Sequence, residues 1–108
     1  MTVIPIELIA ATIRNGRIYF STEFKAVFPA DTIAEDRSSD AKAVSTVLIE
    51  AGGIDYHTDI RINSLTRLSP RKSFAAWLKS QRAEAGHQAR LVQLGERHFR
   101  LEYLGAAA

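Results

Sequence analysis

The sequence predicts an α+β fold that is mostly β, with about seven strands and two short helices mixed into a small closed sheet. Short runs of apolar and β-branched residues recur along the chain, separated by glycine and asparagine turns. The strands do not alternate regularly with helices, and no internal repeat or heptad occurs. With 108 residues, of which 46% are apolar and 24% charged, the chain is expected to be a single domain, residues 1–108. Its core is expected at about 7–104, with a tail at 105–108.

The N-terminal segment has the pattern of a β-hairpin. An apolar run at residues 7–13 is followed by Asn15-Gly16 and then by a second apolar run at 17–20. Asn-Gly between two such runs is a strong turn signal. The sequence therefore predicts a hairpin with a basic tip formed by Arg14, Asn15 and Arg17.

Two short helices are expected. Ser21 is placed to cap the first, which ends before Pro29. The second is expected to begin at Ser69-Pro70 and to end at Gly86. Trp77 falls on the apolar stripe of this second helix and is interpreted as a core anchor.

The rest of the chain has the pattern of strands and loops. Residues 30–42 are small, polar and acidic, which predicts a long loop, and 63–68 are expected to form a loop or a short ribbon. Apolar runs and period-2 alternation predict strands at 44–50, 54–62, 89–94 and 97–104, with a turn at Gly52-Gly53.

The charge of the chain is segregated, although its net value is only +2. Residues 60–83 contain six basic residues and no acidic one, whereas residues 31–59 contain seven acids and two bases. Such a one-signed block produces a directional field that attracts a polyanion. The alternative is an ordinary solvated basic surface, and charge alone leaves both open.

No enzyme constellation is recognisable in the sequence. There are no cysteines, so disulfides and thiolate sites are excluded. His57 and Asp59 are the one histidine pair at a metal-like spacing, and they are interpreted as solvated or structural. Glu23-Phe24-Lys25 matches half of a common nuclease pattern, but no aspartate precedes it. Neither catalysis nor a cofactor is expected, and the absence of a secretory signal or long apolar run favours a cytoplasmic protein.

The order of these elements resembles the seven-stranded open pseudobarrel DNA-binding domain of plant B-three transcription factors. It resembles more closely the effector or recognition domains of bacterial restriction endonucleases of the EcoRII and NgoAVII kind. The resemblance covers about residues 7–104. The sequence segments that carry it are Ile18-Tyr19-Phe20, Phe28-Pro29-Ala30-Asp31-Thr32-Ile33, Thr58-Asp59-Ile60, Arg67, and Gly95-Glu96-Arg97-His98-Phe99-Arg100-Leu101.

The resemblance implies that two arms enter the DNA major groove, one at residues 14–17 and one at 61–70. A two-stranded ribbon fits that groove, where each base pair shows a distinct donor and acceptor pattern. The candidates for base edges are Arg14, Arg17, Arg61, Asn63 and Arg67, with Asn15 in the first tip. Ser64, Thr66 and Ser69 are expected to contact bases or phosphates. Phosphate contacts are expected from Arg71, Lys72, Lys79 and Arg82.

The expected partner is therefore double-stranded DNA, with a nuclease domain or subunit as a further candidate and no membrane. Two other binding modes remain open. The same basic face would serve RNA, although the sequence shows no exposed aromatic platform for single strands. It would also serve a protein-interaction module in which the acidic block of one copy meets the basic block of another.

Overall fold

Alternating apolar and polar residues fold into one open mixed β-sheet that curves around a single core. The structure is a computed structural model and describes residues 2–34, 45–62, 66–70 and 74–106. Within these ranges it contains eight strands, two short α-helices and two 3₁₀ helices.

Strands make up most of the secondary structure, and only a few short helical elements lie between them. Their bounds are β1 (Val3–Glu7), β2 (Tyr19–Phe20), β3 (Ile33–Ala34), β4 (Val47–Ala51), β5 (Ile54–Ile62), β6 (Thr66–Pro70), β7 (Gln88–Gly95) and β8 (His98–Gly105). The helical elements are α1 (Ala10–Asn15), α2 (Ala75–Ser80) and the 3₁₀ helices Thr22–Val27 and Ala30–Thr32.

Seven strands form one continuous path in the order β1-β7-β8-β4-β5-β6-β2, and β3 pairs with β5 beside this path. The β4–β8 and β3–β5 pairs are parallel and the others are antiparallel, so the sheet is mixed. Strands β1 and β2 are the two ends of the path. They approach each other, with Cα atoms within 8 Å.

The core lies on the inner face of this curved sheet and is closed by the helices. Fully buried side chains alternate along the strands, and aromatic rings meet at its centre, where the Phe28 and Phe99 ring centroids are 4.8 Å apart. Trp77 is only 4% exposed, which confirms its assignment as a core anchor. The core also begins earlier than residue 7, because Ile4 and Ile6 on β1 are completely buried.

The prediction of a hairpin around Asn15-Gly16 is wrong. Residues 10–15 form α1, whose start is held by the Ile9 amide donating to Thr12 Oγ1. Gly16 adopts φ 66° and donates its amide to the Thr12 carbonyl at 2.8 Å, which ends the helix. A glycine in the left-handed region serves a helix C-terminus as well as a hairpin turn, so the Asn-Gly signal did not distinguish them.

Both predicted bounds of the second helix are also wrong. Ser69 and Pro70 continue β6, at the end of the strand where proline is tolerated, and α2 starts only at Ala75. The helix ends at Ser80 rather than Gly86, with Gln81 as its C-cap. The amides of Arg82 and Ala83 donate to the carbonyls of Lys79 and Leu78, with Arg82 at φ 53° in the position that glycine usually takes.

Other predicted elements agree with the structure. Gly52 and Gly53 turn the chain between β4 and β5, and β7 and β8 form the C-terminal hairpin. The helix expected after Ser21 is present as a 3₁₀ helix and ends before Pro29. The prediction of a loop from residue 30 is wrong for its described part, because Ala30–Thr32 form a 3₁₀ helix and Ile33–Ala34 form β3, and residues 35–42 lie outside the described part of the chain. None of the helices described is both long enough and apolar enough to cross a bilayer.

Candidate nucleic-acid interface

Three adjacent strands bring the second predicted arm together with the segment that follows the first. In the antiparallel register, Arg67 on β6 pairs with Tyr19 on β2 and with Arg61 on β5. Directly opposed positions in a sheet share one face. The positions Tyr19, Arg67 and Arg61 therefore form one row across β2, β6 and β5, which is called the basic row below.

The first predicted arm lies beside the same strand. The Leu68 amide donates to the Ile18 carbonyl at 2.8 Å, and the Phe74 amide donates to the Gly16 carbonyl at 2.9 Å. Arg17 lies between these two bonds and is half-buried, two positions before Tyr19. The two segments are thus neighbours along β6, on one side of the molecule.

Only part of the two predicted arms is described. Arg14 and Asn15 are exposed at the end of α1. Thr66, the first residue of β6, contacts Thr22, and residues 63–65 of the second arm lie outside the described ranges. That the two segments act as a pair of arms stays a prediction.

A buried carboxylate holds Arg61 in the basic row. Arg61 Nε is 3.6 Å from Asp59 Oδ2, and the two side chains are 18% and 1% exposed. This distance exceeds that of a hydrogen bond, and Arg61 Nε has no hydrogen-bond partner among the described residues. The pair orients the guanidinium, whose Nε is buried.

Thr66 does not belong to the interface. It is completely buried, and its Oγ1 donates to Thr22 Oγ1 at 2.9 Å. Its hydroxyl joins β6 to the first 3₁₀ helix, so the residue has a structural role. Short polar residues at strand ends satisfy inner hydrogen bonds as often as they read bases, and the sequence pattern did not separate these uses.

Two predicted phosphate contacts lie on a different surface. Lys79 and Arg82 are exposed on and just after α2. Together with Ile13 of α1 and Leu78 they line a shallow groove between the two helices. This surface lies at the end of the molecule that also carries Arg14.

The structure describes little of the remaining residues that were predicted to contact DNA. Asn63, Ser64, Arg71 and Lys72 lie outside the described ranges. Ser69 is placed by its backbone, which pairs with Asp59.

A groove next to the basic row was not foreseen from the sequence. It has a volume of about 500 Å³ and lies where the two ends of the sheet, β1 and β2, approach each other. Its apolar lining comes from Pro5, Ile9, Tyr19 and Phe20. Glu7, Ser21 and Thr22 supply the polar part. Tyr19 therefore belongs both to the groove and to the basic row. The alternation of Tyr19 with buried Ile18 and Phe20 was the available signal for its outward position.

The other half of the outer sheet face is electrically balanced. Arg90 Nε and Glu102 Oε1 are 2.6 Å apart across β7 and β8, and His98 Nε2 contacts Glu50 Oε2 between β8 and β4. At the β7–β8 turn, Arg97 Nη1 is 3.0 Å from Asp31 Oδ1. This hydrogen bond raises the pKa of Arg97, with a further contribution from the charge of Glu96.

Within the described residues, no three potential metal ligands cluster together. The chain matches no protein-family model, and neither a curated protein nor a solved structure is significantly similar to it.

Proposed function

We propose that this chain binds double-stranded DNA sequence-specifically, as the target-recognition domain of a restriction endonuclease. Any cleavage then occurs in another domain or subunit, and binding requires no cofactor. Such a domain acts in the cytoplasm, where bacterial DNA is found.

The observation that carries this proposal is the register across β2, β6 and β5. Arg61 and Arg67 lie far from Tyr19 in the sequence but occupy one row with it across the sheet. Arg17 lies two residues before Tyr19 in the chain. Arginine can grip guanine through two hydrogen bonds in the major groove, whereas phosphate contacts carry no sequence information. A row of arginines on a stiff sheet is therefore suited to reading sequence.

We also propose that the sheet is an open pseudobarrel of the plant B-three and EcoRII N-terminal type. Seven strands form its continuous path, and the approach of β1 to β2 brings the ends of that path together without pairing them. This geometry supports the resemblance carried by Phe28-Pro29 and by the β7–β8 turn.

The proposed roles follow from position. Arg17, Arg61 and Arg67 read base edges, and Arg14, Asn15 and Lys79 contact the flanking backbone, as does Arg82. Asn63 remains a proposed base contact, Ser64 and Ser69 remain proposed base or phosphate contacts, and Arg71 and Lys72 remain proposed phosphate contacts.

The first test is a binding titration with a random 30-base-pair DNA duplex, competed by RNA duplex or single-stranded RNA of equal length. The proposal expects DNA binding that weakens with salt and resists both RNA competitors. The Arg61→Ala/Arg67→Ala double variant should bind less, and Arg90→Ala, from the balanced face, should bind like the wild type. Equal loss with Arg90→Ala, or efficient competition by RNA, would contradict the proposal.

A further inference from the structure

The groove between β1 and β2 has the composition of a site for a flat, polar-edged ring. Its walls include the Tyr19 ring and the apolar side chains of Pro5 and Ile9. Glu7 supplies a carboxylate, and Ser21 supplies a hydroxyl. Proteins that hold an unstacked base surround it with apolar or aromatic faces and read its pairing edge with a few polar groups. The volume of about 500 Å³ lies within the range of small-molecule sites.

The position of the groove connects it to the proposed DNA-binding surface. Tyr19 lines the groove, and its backbone pairs with Arg67 in the basic row. A duplex held by that row would therefore run along the mouth of the groove. Neighbouring strands are about 4.8 Å apart. A base that leaves the stack beside the basic row therefore has to move only about this distance to reach the groove.

The geometry disfavours the obvious rival occupant, an extended peptide added between the two sheet ends. A strand inserted there needs about 9.6 Å between its neighbours, whereas β1 and β2 approach within 8 Å. The free edge of β1 is also poor for pairing. The backbone of Thr2 bonds to Gln93 of β7, and that of Leu8 bonds to Gly86 and His87, just before β7. The odd-numbered positions of β1 therefore direct their backbone groups to the groove, and Pro5 has no amide hydrogen to donate.

The carboxylate indicates which base would fit. Glu7 is exposed on a surface that we propose faces phosphates, where a negative charge opposes binding. That cost is offset if the carboxylate accepts a hydrogen bond from an exocyclic amino group. Glutamate pairs in this way with the N4 amino group of cytosine, while thymine presents only an acceptor at the same position.

From these observations we propose that the groove between β1 and β2 receives a cytosine turned out of the bound duplex, with Tyr19 as its stacking face and Glu7 as the acceptor for its amino group. This inference rests on the proposed DNA binding and adds a base-extrusion step to it. The Arg61 and Arg67 contacts hold the duplex, and the groove reads the extruded base.

The test compares duplexes of one sequence that differ at a single position. One is fully paired, one carries cytosine opposite an abasic site, and one carries thymine opposite an abasic site. Removing the opposing base lowers the cost of extrusion. The wild type should therefore bind the orphan-cytosine duplex about tenfold tighter than the paired one, and the orphan-thymine duplex should gain much less.

Three variants identify the source of that preference. Glu7→Gln removes the charge and keeps the shape, so it should reduce the orphan-cytosine preference while binding the paired duplex as well as or better than the wild type. Tyr19→Leu keeps an apolar side chain without an aromatic face and should also lose the preference. Glu23→Gln is the matched control, because Glu23 is an exposed carboxylate on the adjacent 3₁₀ helix and does not line the groove.

The outcomes separate this inference from the proposed function. Binding of all three duplexes with equal affinity, or an orphan-cytosine preference that survives in Glu7→Gln, would overturn the groove inference alone. A chain that binds none of the duplexes would overturn both proposals.

Discussion

The two halves of the outer sheet face contain similar residues but use them differently. On β7, β8 and β4, basic side chains lie against carboxylates from neighbouring strands, as in the Arg90–Glu102 pair. On β5, β6 and β2, the register places Arg67 between Arg61 and Tyr19, and Asp59 is buried beneath Arg61. The two halves therefore differ in the cross-strand partners of their arginines more than in the number of arginines.

The largest effect is expected in the basic row. Arg67→Ala should lower affinity for the preferred duplex by about 1–3 kcal/mol, roughly 5- to 150-fold, and relax preference at one base pair. Arg90→Ala should change neither quantity, because its guanidinium is already engaged by Glu102. Titrations against the preferred duplex and its single-base variants measure both. If Arg67→Ala weakened binding to every duplex sequence equally, the proposed contact of Arg67 with a base edge would be wrong.

A core variant sharpens the comparison by separating stability from binding. The Tyr56 hydroxyl is buried and has no hydrogen-bond partner within the described structure. Tyr56→Phe should therefore raise the free energy of unfolding by about 1 kcal/mol and leave DNA affinity unchanged. Urea denaturation and the duplex titration measure the two quantities, and a stability loss would show that the hydroxyl is satisfied.

The same residue predicts the response to alkaline pH. Burial raises the pKa of Tyr56 above its ordinary value of 10.0. A raised folded-state pKa means that full stability is kept below pH 10 and is lost as pH rises through the folded-state value. Wild type should therefore lose more stability than Tyr56→Phe as the pH rises above 10.0, the ordinary pKa of tyrosine. Identical curves would contradict a desolvated phenol.

A smaller effect is expected at the end of α2. Arg82 has φ 53°, a conformation that glycine adopts without strain. Arg82→Gly should stabilise the protein by about 0.5–1 kcal/mol. If Arg82 contacts a phosphate, the same change should reduce the salt dependence of duplex binding by roughly one unit of slope. Thermal unfolding and titration at several salt concentrations test the two parts, and reduced stability would show that the arginine side chain contributes packing.

The smallest effect is expected for a single exposed lysine. Lys79→Ala should weaken all duplexes alike, by less than about 1 kcal/mol, because phosphate contacts carry no sequence information. Glu84 lies at the same groove, so Glu84→Gln serves as the opposite-signed control and should strengthen binding slightly. A change of sequence preference in Lys79→Ala would contradict its role.

The sequence predicted elements correctly where a hydrophobic pattern extended over enough residues to indicate a single type of structure. The nine residues of β5 and the β7–β8 hairpin were predicted from alternation, and Trp77 from helical spacing. It failed at residues 10–16, where a glycine suits either a turn or a helix end, and at Pro70, which terminates a strand as readily as it begins a helix. Local signals of this kind are decided by tertiary pairing.

The sequence predicted which residues make up the candidate site, but not how these residues are arranged in space. The basic block between residues 60 and 83 is visible in the sequence, and so is the short segment around Arg17. Their adjacency is set by the pairing of β2 with β6, which joins positions nearly fifty residues apart. The burial of Thr66 and the groove beside Tyr19 also arise from this pairing, and no local pattern encodes them.

The central claim is that the basic row reads the sequence of duplex DNA. The most direct measurement is selection from a pool of random duplexes, with and without cytosine methylation, by the wild type, Arg67→Ala and Arg90→Ala. We expect one enriched motif for the wild type and Arg90→Ala, and loss of a defined base pair from that motif in Arg67→Ala. An unenriched pool, or the same motif from all three proteins, would contradict it.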